Sequence, residues 1–221
     1  MATSKFNYNT TTRTILADMY TPVALYMRLR DLYPQSALME SSDYHSHDTA
    51  RSFFGVNPVG SIAIDHGVAR MMFPDGTTEE KPISQAYPVE KAINEFIGSF
   101  NVQGEGKEYC GLYGYTSFNA VHYFENIDVK DETQSRNDAP DIYYILYKDI
   151  LVMDHMNNKL TFVEMTAPGE ECNIDQLLIN INKTNVKPFE FHAVGETTST
   201  ITDEEHKANI RRCVEHCKRG D

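Results

Sequence analysis

The chain has 221 residues, enough for one large domain or two small ones burying roughly 70% of the unfolded surface. Its 41% hydrophobic and 11% aromatic content is ordinary for a globular protein, and no apolar run approaches the roughly 20 residues of a membrane span. Thirty-two acidic residues against twenty basic ones give a net charge of -12, which repels nucleic acid and anionic lipid and argues against both as partners.

The amino terminus, Met-Ala-Thr-Ser-Lys-Phe-Asn-Tyr, lacks the apolar core of a signal peptide, so a cytoplasmic protein is expected. Its four cysteines, Cys110, Cys172, Cys213 and Cys217, are then expected to stay reduced, as buried or idle thiols. Thr21-Pro22, followed by an apolar-periodic run and Pro34, predicts a helix with Thr21 as N-cap and proline at its first position. Strands are predicted at Ser36 to Ser42 and Arg51 to Val56, joined by an acidic, His-containing loop. Ser61 to Glu80 alternates around two turn signals, Asp65-His66-Gly67 and Asp75-Gly76, and reads as an antiparallel meander. Pro88 opens a second helix in which Val89, Ala92, Ile93, Phe96, Ile97 and Phe100 recur at helical spacing on a face expected to be buried.

A Gly-rich loop is predicted from Asn101 to Glu108, then a strand-rich aromatic segment from Tyr109 to Phe124, then a polar surface excursion from Asp128 to Asp141. Ile142 to Met165 reads as a hairpin or meander with turns near Lys148-Asp149 and Asn157-Asn158. Thr202 with Glu205 forms a capping box, and Ile210, Cys213, Val214 and Cys217 make the apolar stripe of a last helix closed by Gly220. The fold class expected is α+β, mainly antiparallel sheets with helices outside.

Three patterns have bland explanations that outweigh a functional one. His45-x-His47-Asp48 lacks further ligands at metal-site spacing and reads as exposed histidines. Cys213 and Cys217 complete an apolar stripe, so core packing accounts for them better than ligation. Gly104-Glu105-Gly106 carries no lysine and is a turn, not a phosphate loop.

The strongest pattern runs from Leu38 to Gly55: Leu-Met-Glu-Ser-Ser-Asp, a polar loop, then Ala-Arg-Ser-Phe-Phe-Gly. It offers one carboxylate, one hydroxyl and one guanidinium to a zwitterion, or else a strand-end ion pair with a polar cap. It resembles the amino-terminal region of anthranilate synthase component I, in the chorismate-utilising enzyme family. The likeness extends through Gly111-Leu-Tyr-Gly-Tyr-Thr to Glu125, through Pro140-Asp141 to Asp154-His155, and through the helix running from Thr202 into Gly220-Asp221. Met39 stands where the family has leucine, and Asn119 where many relatives have aspartate.

The resemblance implies that residues 1–221 form a regulatory and scaffolding domain in which Glu40, Ser41 and Arg51 bind L-tryptophan. It implies large face-to-face sheets completed by a carboxy-terminal half, absent here, that carries the catalytic residues and the magnesium-binding glutamates. No catalytic residue, metal ligand or cofactor is therefore expected in this chain, and Mg2+ is expected in the parent enzyme. The parent reaction would aminate chorismate with loss of pyruvate, using ammonia from a glutamine amidotransferase subunit. Strand edges left unpaired by the absent half lead to an expectation of self-association. The alternatives are the matching half of aminodeoxychorismate synthase component I and a free-standing small-molecule binding domain.

Overall fold

Two long strands organise the molecule, and their composition explains why. Ile142–Asp154 is a nearly continuous apolar run and Arg51–Asp65 is close to one, the pattern of strands covered on both faces. The computed structural model describes residues 5–40, 50–127, 139–184, 186 and 190–220. In chain order the elements are β1 (Phe6–Leu16), α1 (Pro22–Leu29), β2 (Ala37–Glu40), β3 (Arg51–Asp65), β4 (Val68–Met72), β5 (Thr78–Pro82) and α2 (Val89–Gly98). They continue with β6 (Phe100–Gly104), β7 (Leu112–Thr116), β8 (Ile142–Asp154), β9 (Lys159–Thr166), α3 (Ile174–Lys183) and α4 (Asp203–Arg219). Residues 1–186 form one compact unit and residues 187–221 a second. No helix among the described residues is long and apolar enough to cross a membrane.

The nine strands form one hydrogen-bonded sheet, in the order β5-β4-β3-β8-β9-β1-β6, with β2 added to β3 and β7 to β8. Its pairings are antiparallel except that of β1 with β6. Along one edge, β3 carries β2 beside its first half and β4 beside its second, while β8 follows it along the other. The β3–β8 register shifts between Pro58 and Gly60, beside Asn57 at φ 57°. A bulge here is where a proline, which has no ladder N–H, is tolerated inside a central strand.

Helices cover the sheet where the sequence provides apolar stripes. Thr21 Oγ1 accepts from the Ala24 amide at 3.2 Å and starts α1, whose Leu25 and Leu29 pack with Phe54, Leu151, Phe162 and Ile181 of α3. On the other half-sheet, Val89, Ala92 and Phe96 of α2 pack on Ile62, Ile64 and Met71. A third cluster, Tyr147, Ile150, Val152 and Val163, is closed by Tyr109, Tyr113 and Phe53.

The antiparallel α+β class, the 61–80 meander, the helix starts at Thr21 and Pro88 and the last helix with its capping box agree with the sequence reading. Several expectations are corrected. Residues Phe100–Gly104 are a strand, not part of a loop, because Phe100 and Val102 pack against the sheet beside Tyr8. Lys148-Asp149 is no turn: β8 continues through it, and both side chains enter a buried charged network. Ile97 is 49% exposed, and the stripe on α4 is exposed as well, with Ile210 at 49% and Val214 at 46%. Cys172, Cys213 and Cys217 are exposed, whereas burial pushes the half-buried Cys110 thiol up to about 11. β1 and α3 have no counterpart in the sequence reading.

Candidate functional site

The β2–β3 ladder sets the geometry of the predicted ligand residues. Glu40 ends β2 and Arg51 begins β3, and the register pairs Glu40 with Ser52 and Leu38 with Phe54. Both candidates therefore stand at the same end of the pair. Because successive side chains leave opposite faces of a strand, Glu40 shares the face of Ser52, whereas Arg51 lies on the other face. Ser41 lies outside the described residues, as do His45, His47 and Asp48.

On the Glu40 face, Ser52 is fully buried, and Phe54 and Leu38 belong to the first core cluster. Its hydroxyl lies 2.8 Å from Nε2 of His155, and the His155 amide donates to the Ala50 carbonyl at 3.2 Å. On the Arg51 face, the register sets Arg51 directly opposite Asp154, the last residue of β8. Arg51 Nε lies 4.0 Å from Asp154 Oδ2, and Nη1 lies 3.5 Å from the Tyr109 hydroxyl. The guanidinium carbon is 6.0 Å from the Tyr109 ring centroid, close to the limit of a cation–π contact. Phe53 packs beside Tyr109 at 6.3 Å between centroids.

Asp154 is fixed by the β8–β9 turn. Its Oδ1 accepts from the amides of Met156 at 3.1 Å and Asn157 at 2.9 Å, and its Oδ2 from Asn157 Nδ2 at 3.0 Å. Burial opposes its ionisation. Hydrogen bonds from Asn157 and Met156, with the Arg51 charge, outweigh that and hold the carboxyl below the usual range. Sequence reasoning missed Asp154, His155, Ser52 and Tyr109 as neighbours of this end. The available signal was that the dipeptides Arg51-Ser52 and Asp154-His155 bound the two strands that pair.

A second polar constellation lies inside the sheet. Asp149 and Glu164, directly paired across β8 and β9, are 4% and 1% exposed. Asn57 Nδ2 donates to Asp149 Oδ2 at 2.6 Å, and Lys148 Nζ lies 3.3 Å from Glu164 Oε1 while also bridging to Glu170. Glu164 Oε2 accepts from the Asn173 amide at 2.7 Å and from the Cys172 thiol at 3.2 Å, tying the start of α3 to β9. Burial, with the Glu164 charge adding to it, pushes Asp149 up to about 6. A surface groove of about 510 Å³ lined by Arg13, Asp175, Leu178, Ile179, Asn182 and Lys183 contains none of the predicted ligand residues. Among the described residues, no group of three or more His, Cys, Asp and Glu could hold a metal ion.

Comparison with known proteins gives a consistent result. The family model described as chorismate binding enzyme matches residues 35–221. The anthranilate synthase component 1 of Lactococcus lactis is 27% identical over 94% of this chain and 45% of its own length. The chloroplastic anthranilate synthase alpha subunit 2 of Oryza sativa subsp. japonica is 24% identical over 94% of this chain and 39% of its own. The crystal structure of anthranilate synthase component I from Streptococcus pneumoniae shares the fold, with a TM-score of 0.53 and 19% identity over 93% of this chain and 45% of that one. The chain thus spans less than half the length of these relatives.

Proposed function

The chain belongs to the chorismate binding enzyme family, and from that premise we propose that it is the tryptophan-sensing, scaffolding part of an anthranilate synthase component I. The observation that carries this reading is the family match beginning at residue 35, immediately before the strand that ends in Glu40. In the proposed site Glu40, Ser41 and Arg51 contact L-tryptophan, and the β2–β3 register supports it by bringing Glu40 and Arg51 to one end of the strand pair.

The proposed parent reaction is amination of chorismate with loss of pyruvate, in the cytoplasm, with ammonia delivered by a glutamine amidotransferase subunit. Magnesium is proposed for that parent reaction, and among the described residues no cluster fits it.

The test uses the protein expressed from the whole reading frame that contains these residues. Fractional inhibition of anthranilate formation by tryptophan is compared between wild type and Ser41→Phe, whose ring would occupy the proposed pocket. Loss of inhibition supports the reading, since an effector acts only through differential contacts at its own site. Inhibition as strong as in wild type overturns the residue assignment. A wild-type protein that turns chorismate into aminodeoxychorismate and ignores tryptophan replaces the reading with the aminodeoxychorismate synthase alternative.

A further inference from the structure

We propose that Asp149, Glu164, Lys148 and Glu170 form a proton-operated latch, which holds the β9–α3 connection, residues 167–173, on the sheet and loosens it as Asp149 gives up its proton. Asp149 pairs with Val56 in the middle of the β3–β8 ladder, away from Arg51 at its end, so the latch is independent of the proposed tryptophan site.

One ammonium and three carboxylates build it. Glu164 is buried and reaches from β9 to the start of α3, its Oε2 accepting from the Asn173 amide at 2.7 Å and from the Cys172 thiol at 3.2 Å. Its other oxygen, Oε1, is buried without a hydrogen bond among the described residues, and Lys148 Nζ stands 3.3 Å from it. Lys148 also bridges to Glu170, whose Oε2 accepts from the Ala167 amide at 2.9 Å. Both ends of the connection are thus tied to carboxylates that share one cation. Cross-strand from Glu164, on the same face, lies the buried Asp149, whose Oδ2 accepts from Asn57 of β3 at 2.6 Å.

Lys148 answers two carboxylates while Asp149 is protonated and three once it ionises. The third charge repels that of Glu164 inside the sheet and draws on the same ammonium. Burial opposes its ionisation further, and that opposition ends when the connection lifts and water reaches the group. Asp149 therefore ionises near its ordinary 3.8 in the lifted form and near about 6 in the closed one, so rising pH favours lifting. Lys148 and the Ala167 amide hold Glu170 below the usual carboxylate range, and burial raises Tyr8 of β1 and the Cys172 thiol. Burial works against the Lys148 charge, but its carboxylate partners outweigh it. These four groups keep one charge state between pH 5 and 7.5, which leaves Asp149 to operate the latch.

Hydrogen exchange of the protein from the whole reading frame, with rates corrected for the intrinsic pH dependence of exchange, tests this. Peptides covering residues 167–175 report the opening. In wild type their protection should fall about tenfold between pH 5 and 7.5, the ratio that ionisation at about 3.8 and about 6 gives. In Asp149→Asn, which still accepts from Asn57, protection should stay constant within about twofold. Glu170→Gln removes the bridge to Lys148 from an accessible side chain, and should leave the same amides weakly protected already at pH 5. Low urea should not accelerate exchange here but should accelerate it in the middle of β8, because the latch opens without global unfolding. Equal wild-type protection at both pH values, or a fall that persists in Asp149→Asn, overturns the latch. So does exchange that follows the urea dependence of β8, which assigns the whole pH effect to global unfolding.

Discussion

Replacing Asp149 by asparagine should make the protein's stability respond differently to pH, and the size of the change follows from the buried network. In the folded chain the carboxyl is pushed from about 3.8 to about 6, first by burial and then by the neighbouring Glu164 charge. Below pH 3.8 the group is protonated in both states and contributes nothing. Between 3.8 and 6 the unfolded chain releases its proton while the folded chain keeps it, so stability falls as pH rises. Above 6 the penalty is complete. A shift of this size corresponds to about 3 kcal/mol at pH 7.5 but only about 1 kcal/mol at pH 4.5. Asparagine resembles the protonated acid and still accepts from Asn57 Nδ2, so the variant lacks the penalty. The stability difference, variant minus wild type, should therefore increase by about 2 kcal/mol between pH 4.5 and 7.5. A carboxyl with a lowered value outside this network, such as Glu95, produces the opposite trend but cancels in the difference. Urea unfolding followed by tyrosine fluorescence at several pH values measures it. A difference constant within about 0.5 kcal/mol would refute the assignment of the penalty to Asp149.

Gly55→Ala should destabilise by about 1–3 kcal/mol, because its new methyl would lie 2.2 Å from the buried Tyr147 ring; an unchanged urea midpoint would show that the ring has room to move. Thr202→Ala removes the hydroxyl that accepts from the Glu205 amide and should weaken the start of α4 by about 1 kcal/mol. Hydrogen exchange of the first-turn amides should accelerate about fivefold, and unchanged exchange would mean the cap contributes nothing. The chain should also self-associate, because Leu16, Met19 and Phe118 are 69%, 88% and 89% exposed beside strands with open edges. Light scattering that gives 25.2 kDa over a wide concentration range would contradict this.

Elements with strong local chemistry were legible before any coordinates. The Thr21 cap, the Pro88 helix start, the Asp65-His66-Gly67 turn and the Thr202–Glu205 box each rest on contacts between near neighbours in sequence. β1 was not legible because Phe6–Leu16 is dominated by Thr and Asn. Only its distant partners, Lys159 to Thr166 and Phe100 to Gly104, make it a strand. Lys148-Asp149 misled because charge normally marks a surface turn, whereas here Asn57, Glu164 and Glu170 satisfy both groups inside the protein. The candidate site divides in the same way. Its motif could be read from Leu38 to Gly55, but the partner of Arg51 could not, since Asp154 lies on a strand whose register only the folded sheet fixes.

Since β3 and β8 run through both half-sheets, neither half can form its ladder without closing a long loop, 97 positions from Phe54 to Leu151 or 78 from Ile64 to Ile142. Chain closure over such distances is slow, and so is pairing of β1 with β9 across most of the polypeptide. The first unit is therefore expected to acquire its structure in one late, concerted step on the millisecond-to-second scale. During synthesis the early strands wait for residues 142–166 to emerge, and over that interval the Arg51–Asp65 segment is the stretch most in need of a chaperone.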